Sequence, residues 1–403
     1  MLINGFDVLD IIKEVNTPVF LYDVEKIREK IDLYKTNFKS NSFQTEVLYA
    51  SKALALPSLL KILKEKDMSI DVVSLGELEL AFKANFLSKN IYFHGNNKST
   101  NELELAINKG INIVLDNLDE LKNIQRINKA LNKKINLYIR INFGIEAHTH
   151  KYILTGNFDS KFGIIYDSFE YNEVLKLINE DKNILLKGFH SHIGSQIFEL
   201  DPFYELIDRF FEIEKKLKGN YEYSLGGGFG VKYTKEDKPL ETKFIAENLI
   251  NYAEGKIKEN NIKISKLLIE PGRSIVSDAG LTIYSLGYKK KTKNKIYYFV
   301  DGGMSDNIRP ALYQAKYEAD IIGRENEIKN NLVSIGGKCC ESGDILIDDI
   351  MLPDYEYGDL LVIYNTGAYS FSMSSNYNMA LKPNVIFIEK DKYYYAYNNK
   401  EGE

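Results

Sequence analysis

Cysteine is scarce in this chain of 403 residues, which has two of them, adjacent at Cys339 and Cys340. Two cysteines can build neither a disulfide framework nor a cysteine-rich zinc site, and neighbouring cysteines bridge each other only with backbone strain. The pair is therefore either inert packing or a reactive thiol beside a neighbour. The polar residues that follow, "ESGD", fit a core strand poorly and keep the reactive interpretation open.

Long apolar runs and an excess of basic charge are also missing. No stretch approaches the roughly 20 apolar residues of a membrane-spanning helix, and residues 1–15 carry acids where a secretory signal has lysines. The formal net charge of −5 argues against binding to nucleic acid or to a membrane surface. These features predict a cytoplasmic enzyme that binds neither nucleic acid nor membrane.

Short β-rich segments alternate with amphipathic helical patterns over the first two thirds of the chain. The segments are 45–51, 69–74, 91–95, 111–117, 136–142, 185–193, 223–228 and 266–272. Such alternation indicates a parallel sheet covered by helices, and eight repeats fit a closed (β/α)8 TIM-like barrel. The main rival, an open doubly wound sheet, lacks its glycine-rich turn after the first strand.

From about residue 275 the pattern changes to alternating apolar and polar residues, which is typical of antiparallel sheet with one wet face. The stretch "TPVFLYD" (17–23) reads as a strand that precedes the barrel. We predict an N-terminal segment (1–30) joining a β-domain, a barrel (31–275) and a C-terminal antiparallel β-domain (276–403).

Polar residues mark the strand ends, where barrels of this kind carry their active sites. Lys52 follows the first segment among apolar neighbours, which suits covalent chemistry with a carbonyl, although a surface lysine at a helix start is the ordinary alternative. His94 ends the third segment and His192 the sixth. His190 shares a strand face with His192, so one of the two could be packing. A metal site is the rival interpretation of these histidines, but few carboxylates flank them, and we predict no metal.

Glycines and a carboxylate complete this set. The glycines of "LGGGFG", Gly226–Gly228, allow backbone N–H groups to approach an anion at the position where barrels bind phosphate. Glu270 ends the eighth segment and needs a buried partner, which would be either a protonated ring nitrogen or Arg273. A lysine, a flat histidine, a phosphate cradle and a buried carboxylate are what pyridoxal 5′-phosphate requires.

Ten ordered motifs make the chain similar to a known family. They are "YASKAL", "HGNNKS", "AHTHKYILTG", "DSKFG", "HSHIGSQI", "GGGFG", "EPGRSIV", "DGGMSDNIRPALY", "CCESGD" and "GAYSFSMSSNYN". With these motifs the chain resembles the barrel-type (fold type III) pyridoxal-phosphate-dependent decarboxylases over nearly its whole length. One departure is "MALKP" (379–383), where the family commonly has Ser-Arg-Pro; this puts any role of that arginine in doubt.

The resemblance implies the cofactor contacts. Lys52 would hold the cofactor as a Schiff base, His192 would lie against its ring, and Glu270 would pair with the ring nitrogen. The other residues that the resemblance places at the cofactor are Ser195, Gly227, Gly228, Gly272, Arg273 and Tyr369.

Within the family the chain resembles the branch that acts on meso-2,6-diaminopimelate, which implies conversion to L-lysine and carbon dioxide, the last step of lysine synthesis. Arg273, Arg309 and Tyr313 would grip the distal carboxylate. Glu341 would bind the distal amino group, and Tyr369 would touch both cofactor and substrate.

The resemblance also implies a homodimer whose active sites are shared across the interface. Cys340 would reach the partner's barrel and protonate the product, while Cys339 would be packing. The alternatives are a related decarboxylase for ornithine, lysine, arginine or a carboxylated polyamine, a non-catalytic cofactor-binding protein, and a racemase. The two arginines together with Glu341 favour diaminopimelate among these substrates.

Overall fold

The computed structural model describes residues 1–145 and 159–400. The motif "AHTHKYILTG", with His148 and His150, lies outside the described residues. The elements before the barrel are β1 (Leu2–Ile3), β2 (Phe6–Asp7), α1 (Val8–Glu14), β3 (Val19–Asp23) and α2 (Val24–Asn37).

Strands and helices then alternate through the next half of the chain. The elements, in order, are β4 (Gln44–Ala50), α3 (Pro57–Glu65), β5 (Ser69–Val72), α4 (Leu75–Lys83), β6 (Ile91–Phe93), α5 (Thr100–Lys109), β7 (Asn112–Leu115), α6 (Leu118–Leu131), β8 (Ile135–Asn142), β9 (Ile164–Ile165), α7 (Phe169–Glu180), β10 (Ile184–His190), α8 (Asp201–Leu217), β11 (Glu222–Ser224), α9 (Thr242–Asn260), β12 (Lys266–Ile269) and α10 (Arg273–Val276).

Within the described part of the chain, eight parallel strands form the barrel in the order β10-β11-β12-β4-β5-β6-β7-β8. Pairing of β10 with β8 closes it, and β9 adds to β8 outside the ring. Each predicted segment overlaps one of these strands, so the (β/α)8 prediction is confirmed. All strands run in the same direction, and their C-terminal ends therefore meet at one face.

Local sequence explains where the covering helices begin and end. In α5, Ser99 and Glu102 form a reciprocal capping box, and Gly110 ends the helix in the left-handed region at φ 69°. Such residues are common at helix ends because they satisfy, or allow the backbone to satisfy, the unpaired N–H and C=O groups there.

The rest of the chain folds around a second sheet. Its elements are β13 (Gly280–Lys291), β14 (Ile296–Val300), α11 (Arg309–Tyr313), β15 (Ala319–Ile321), β16 (Asn331–Gly336), β17 (Ile345–Leu352), β18 (Leu360–Ile363), β19 (Asn384–Ile388) and β20 (Tyr393–Tyr397). The order along the sheet is β17-β16-β14-β13-β3-β19-β20, with β18 also on β13 and β15 on β18.

This second sheet confirms the predicted β-domain and the place of the N-terminal strand in it. β3 pairs antiparallel with β13 and parallel with β19, and β14 pairs parallel with β16. The sheet is thus mostly, but not wholly, antiparallel. The division of the chain at residues 30 and 275 stays a prediction; residue 30 falls inside α2.

Apolar side chains fill the middle of the barrel. Leu48, Tyr92, Val114, Tyr138 and Leu268 form a buried cluster contributed by five of its strands. A fully buried large apolar side chain contributes roughly 1.5–3 kcal/mol to stability, so this buried cluster stabilises the closed barrel.

Among the described residues, no helix is both long enough and apolar enough to span a membrane.

Candidate active site

A cavity of about 890 Å³ opens at the C-terminal ends of the barrel strands. It is the place where the topology brings together polar residues that lie far apart in sequence. The predicted site residues that line it are Lys52, His192, Ser195, Gly227, Gly228, Glu270, Gly272, Arg273, Arg309, Tyr313 and Tyr369.

Lys52 stands on a single helical turn, Ser51–Ala53, directly after β4. The expectation of purely apolar surroundings is wrong, because its charge acts on two nearby acids. Lys52 lowers the pKa of Asp71 and of Glu77, although burial, the larger effect, raises both. The lysine therefore faces a polar cavity with carboxylates on one side.

The segment around Tyr369 is fastened to this lysine turn. The Tyr369 N–H donates to the Ala53 carbonyl at 2.8 Å, and the Ser372 hydroxyl donates to the same oxygen at 2.8 Å. Tyr369 adopts a φ of 64°, a conformation that costs a non-glycine residue free energy and that is held only by its surroundings. The connection between β18 and β19 is thus fixed to the lysine turn, and Tyr369 and Lys52 line the same cavity.

The glycine-rich turn after β11 has no room for side chains. A Cβ at Gly227 would lie 2.2 Å from the Glu270 carbonyl oxygen, and one at Gly228, which has a φ of 100°, would lie 2.2 Å from the Gly194 carbonyl oxygen. The Gly227 N–H donates to Nδ1 of His192 at 3.3 Å. Successive backbone N–H groups in a turn can form the kind of concave site that binds phosphate, and Gly227 and Gly228 line the cavity.

Glu270 is buried at the far end of the cavity, where it has three polar neighbours. Ser224 donates to its Oε1 at 2.7 Å, Nε2 of His190 lies 3.2 Å from Oε2, and Nε2 of His94 lies 3.5 Å from Oε1. Burial raises the pKa of the Glu270 carboxyl, but the two imidazoles outweigh it and hold that pKa well below its ordinary value. The group is an ionised carboxylate.

His190 and His192 both have lowered pKa values. Burial, only partly offset by Glu270, lowers the pKa of His190 to about 4, and burial together with Lys52 lowers the pKa of His192 well below its usual range. A neutral His190 donates its Nε2 proton to the carboxylate. His94, His190 and Glu270 also offer donor atoms within 4.8 Å of one another that could hold a metal ion, so the absence of a metal stays a prediction.

Two arginines line the cavity. Arg273 donates from Nη2 to Ser195 at 3.1 Å and packs its guanidinium carbon 4.6 Å from the centre of the Tyr369 ring. Arg309 begins α11 and is buried. Both also contact Tyr233, which lines the cavity.

Cys340 and Glu341 are not part of this cavity. Cys340 is exposed and Cys339 is half-buried, and burial together with Asp344 raises the pKa of Cys339. Glu341 lines a second depression of about 300 Å³, where its carboxylate accepts a hydrogen bond from Tyr377. Within one chain, these two predicted residues lie apart from the others.

Several residues of the site were missed in the sequence. Asp71 lines the cavity, and its buried Oδ1 has no hydrogen-bond partner among the described residues. Arg140 lies close enough to lower the pKa of His192, and Tyr233 contacts both arginines. For the first two a signal was present, since a lone charge interrupts each apolar strand, "SIDVV" and "NLYIRIN". Tyr233 lies in a loop and has no such signal.

Comparison with known proteins agrees with this geometry. Residues 24–277 match the family described as "Pyridoxal-dependent decarboxylase, pyridoxal binding domain". The diaminopimelate decarboxylase of Bacillus methanolicus is 43% identical over 394 residues, covering 96% of this chain and 91% of that protein. That of Bacillus subtilis (strain 168) is 42% identical over 394 residues, covering 96% and 90%.

Solved structures resemble the whole chain. The diaminopimelate decarboxylase of M. jannaschii, in complex with L-lysine, superposes with a TM-score of 0.90 at 31% identity, covering 99% of this chain and 94% of that one. The Helicobacter pylori enzyme, also in complex with L-lysine, has a TM-score of 0.87 at 33% identity, covering 97% and 96%.

The barrel, the second sheet and the lysine, glycine and carboxylate groups of the cavity define the class of barrel-type decarboxylases that use pyridoxal phosphate. Identity above 40% over nearly the full length narrows the class further. The chain belongs to the diaminopimelate decarboxylase family. Its residues also fit the cofactor: Lys52, Gly227, Gly228 and Glu270 line one cavity, and an ionised Glu270 suits a protonated ring nitrogen.

Proposed function

We propose that this chain decarboxylates meso-2,6-diaminopimelate to L-lysine and carbon dioxide in the cytoplasm, as the last step of lysine synthesis. The observation that carries the proposal is the charge layout of one cavity. A buried carboxylate, Glu270, and two guanidinium groups, those of Arg273 and Arg309, line the same cavity. The names of the similar proteins support the choice of substrate.

Pyridoxal phosphate, when bound, acts as an electron sink for the carbanion left by the departing carbon dioxide. We assign Lys52 as the residue that holds it covalently and Glu270 as the partner of its ring nitrogen. An anionic Glu270 keeps that nitrogen protonated, which maximises electron withdrawal. The neutral His192 presents a flat face without adding a positive charge beside the ring.

The phosphate would be held by backbone N–H groups and by neutral or cationic side chains. We assign Gly227 and Gly228 to this role, because both line the cavity and a ligand can approach a glycine backbone closely. Ser195 and Arg273, joined at 3.1 Å, complete the cradle, and Gly272 lines the same cavity.

Substrate selection would rest on Arg273 and Arg309. The ion-paired arginines of the described chain are Arg28, Arg209 and Arg324; Arg273 and Arg309 have no carboxylate partner among the described residues. A buried cation without a partner costs free energy until an anion binds. Diaminopimelate would bring a distal carboxylate to Arg273 and Arg309, with Tyr313 and Tyr369 beside it. Ornithine has only an amino group at its distal end.

The proton that replaces carbon dioxide would come from Cys340 of a second copy of the chain. Cys340 is exposed and does not line the cavity of its own chain. A residue that acts in the active site of the partner subunit needs both properties. Glu341 would move with it to meet the distal amino group. We therefore propose a homodimer with shared sites, built from chains that divide at residues 30 and 275.

A substrate panel tests the function. The purified holoenzyme is given meso-diaminopimelate, L-lysine, L-ornithine or L-arginine, and released carbon dioxide is measured, with Lys52→Ala as the background control. We expect kcat/KM to be highest for meso-diaminopimelate by at least about a hundredfold, which is the discrimination that one lost charged contact provides. A preference for ornithine or lysine would overturn the proposed substrate.

A further inference from the structure

Tyr233 lies between the two arginines that the proposed function assigns to the substrate. Arg273 donates from Nη1 to the Tyr233 hydroxyl oxygen at 2.6 Å. The guanidinium carbon of Arg309 lies 4.8 Å from the centre of the Tyr233 ring. One side chain thus contacts both cations, the first through its oxygen and the second through its ring.

The surroundings of Tyr233 fix it in this place. It is buried and yet lines the cavity, and the Ser277 hydroxyl donates to its oxygen at 3.2 Å. Its ring meets that of Tyr317 edge-to-face, with centres 5.4 Å apart, and Tyr317 accepts a hydrogen bond from Arg309. The position of each guanidinium group is therefore tied to a tyrosine.

Two like charges without a carboxylate partner repel each other, and each loses hydration on burial. The Tyr233 oxygen accepts a hydrogen bond from Arg273, and the Tyr233 ring face attracts Arg309. These two contacts reduce the costs of charge repulsion and of lost hydration. Burial raises the pKa of Tyr233, but Arg273 and Arg309 outweigh burial and lower it, because both cations stabilise negative charge on its oxygen.

We propose that Tyr233 is a positioning residue that sets specificity: it holds Arg273 and Arg309 at the spacing that recognises the distal carboxylate of the substrate. The inference rests on the proposed function, because it takes that carboxylate as the ligand. Tyr233 does not take part in the bond-breaking step. Its loss should weaken recognition of the carboxylate and leave turnover of the bound substrate intact.

Two ligands that differ by one carboxylate make the test. L-Lysine, the product, retains the distal carboxylate, whereas 1,5-diaminopentane lacks it. Binding of each to holoenzyme is measured by titration calorimetry for the wild type and for Tyr233→Phe, which keeps the ring but not the oxygen. Because hydrogen bonds to charged groups are strong, we expect L-lysine to bind about tenfold to a hundredfold more weakly and 1,5-diaminopentane to be unchanged within about twofold.

Kinetics supply a second readout. For meso-diaminopimelate, Tyr233→Phe should raise KM by a similar factor and change kcat by less than about threefold, the pattern of lost uniform binding. Tyr298→Phe is the matched control, since Tyr298 donates to the Pro353 carbonyl at 3.3 Å in the second sheet and does not line the cavity. Tyr298→Phe should leave the affinities for both ligands, and both kcat and KM, unchanged.

If Tyr233→Phe fails to fold, Ser277→Ala provides an independent test, because it removes the other hydroxyl contact of Tyr233. Ser277→Ala should weaken the binding of L-lysine but not that of 1,5-diaminopentane, and by a smaller factor than Tyr233→Phe. An unchanged ratio of the two affinities in the variant that folds would overturn the role of Tyr233. That result differs from failure of the proposed function, which would appear in the wild type as an absence of carbon dioxide release from meso-diaminopimelate.

Discussion

Acid should destabilise the cofactor-free protein through His190, with a magnitude that follows from its burial. The pKa of His190 is about 4 in the folded chain, whereas an unfolded chain has the ordinary histidine value of about 6.5. Between these values the unfolded chain binds a proton that the folded chain does not. The free energy of unfolding therefore falls as the pH is lowered through this window.

The size of the effect is limited by the gap between the two pKa values. Each pH unit is worth at most about 1.4 kcal/mol for one proton, so the whole window is worth at most about 3 kcal/mol. Between pH 6.5 and 5 the expected loss from His190 alone is about 2 kcal/mol.

The groups that face His190 decide which part of the window is informative. They are Glu270, His94 and Arg140. Glu270 has a lowered pKa, so its stabilisation is complete above its unfolded value, about 4.3, and is lost only at lower pH. Arg140 stays charged throughout. The range above pH 5 therefore excludes the titration of Glu270 and Arg140.

Urea unfolding of the wild type and of His190→Gln at pH 6.5 and pH 5 measures this contribution. His192 acts with the same sign, so the quantity to compare is the difference between the two proteins. Ser224→Ala is the control: it removes another hydrogen bond to Glu270 without removing a titrating group, and should lose as much as the wild type. Equal pH-dependent losses in the wild type and His190→Gln would refute the reasoning.

Four further outcomes are expected. Lys52→Ala should lose the visible absorbance of lysine-bound cofactor on dialysis, and retention of that band would contradict its assignment. Cys340→Ala should lower kcat at least about a hundredfold, as loss of a general acid does, while Cys339→Ala changes it less than about threefold; equal losses would mean that the wrong thiol was chosen. Lys52→Ala mixed with Cys340→Ala should regain up to about a quarter of wild-type activity, because half of randomly paired dimers carry one intact site; no recovery argues against shared sites. Gly227→Ala should weaken cofactor binding, measured by equilibrium dialysis, because its Cβ meets the Glu270 carbonyl oxygen at 2.2 Å.

Much of the cavity could be predicted because strand ends obey a simple rule. Parallel strands that follow one another around a barrel bring their C-terminal residues to one face. Lys52, His94 and Glu270 each come at or directly after such an end, so finding the strands was enough to group them. The glycines after β11 were visible for the same reason.

Other residues could not be predicted, since no periodic pattern governs them. Tyr233 lies in the loop between β11 and α9, where the chain path depends on tertiary contacts such as those of Asp237 with the Tyr233 and Thr234 N–H groups. The surroundings of Lys52 were misjudged because only its sequence neighbours were considered. Asp71, which faces it, is contributed by the adjacent strand.

The two histidines of "HSH" show where the rule of alternation stops. If β10 continued to residue 193, His190 and His192 would share a face, and one of them would be spare. The strand ends at His190, so the two rings diverge. His190 turns to Glu270, while His192 accepts from the Gly227 N–H. One imidazole therefore supports the carboxylate, and the other is available to the cofactor ring.

This arrangement leaves charges of opposite sign in one cavity. Glu270 is buried and ionised, and Arg273 and Arg309 contact tyrosine and serine but no described carboxylate. Such charges lower the stability of the empty protein. Ligands that supply a cationic ring nitrogen to Glu270 and a carboxylate to the arginines remove that cost, so cofactor and substrate should each raise the unfolding temperature, and the tighter ligand should raise it more.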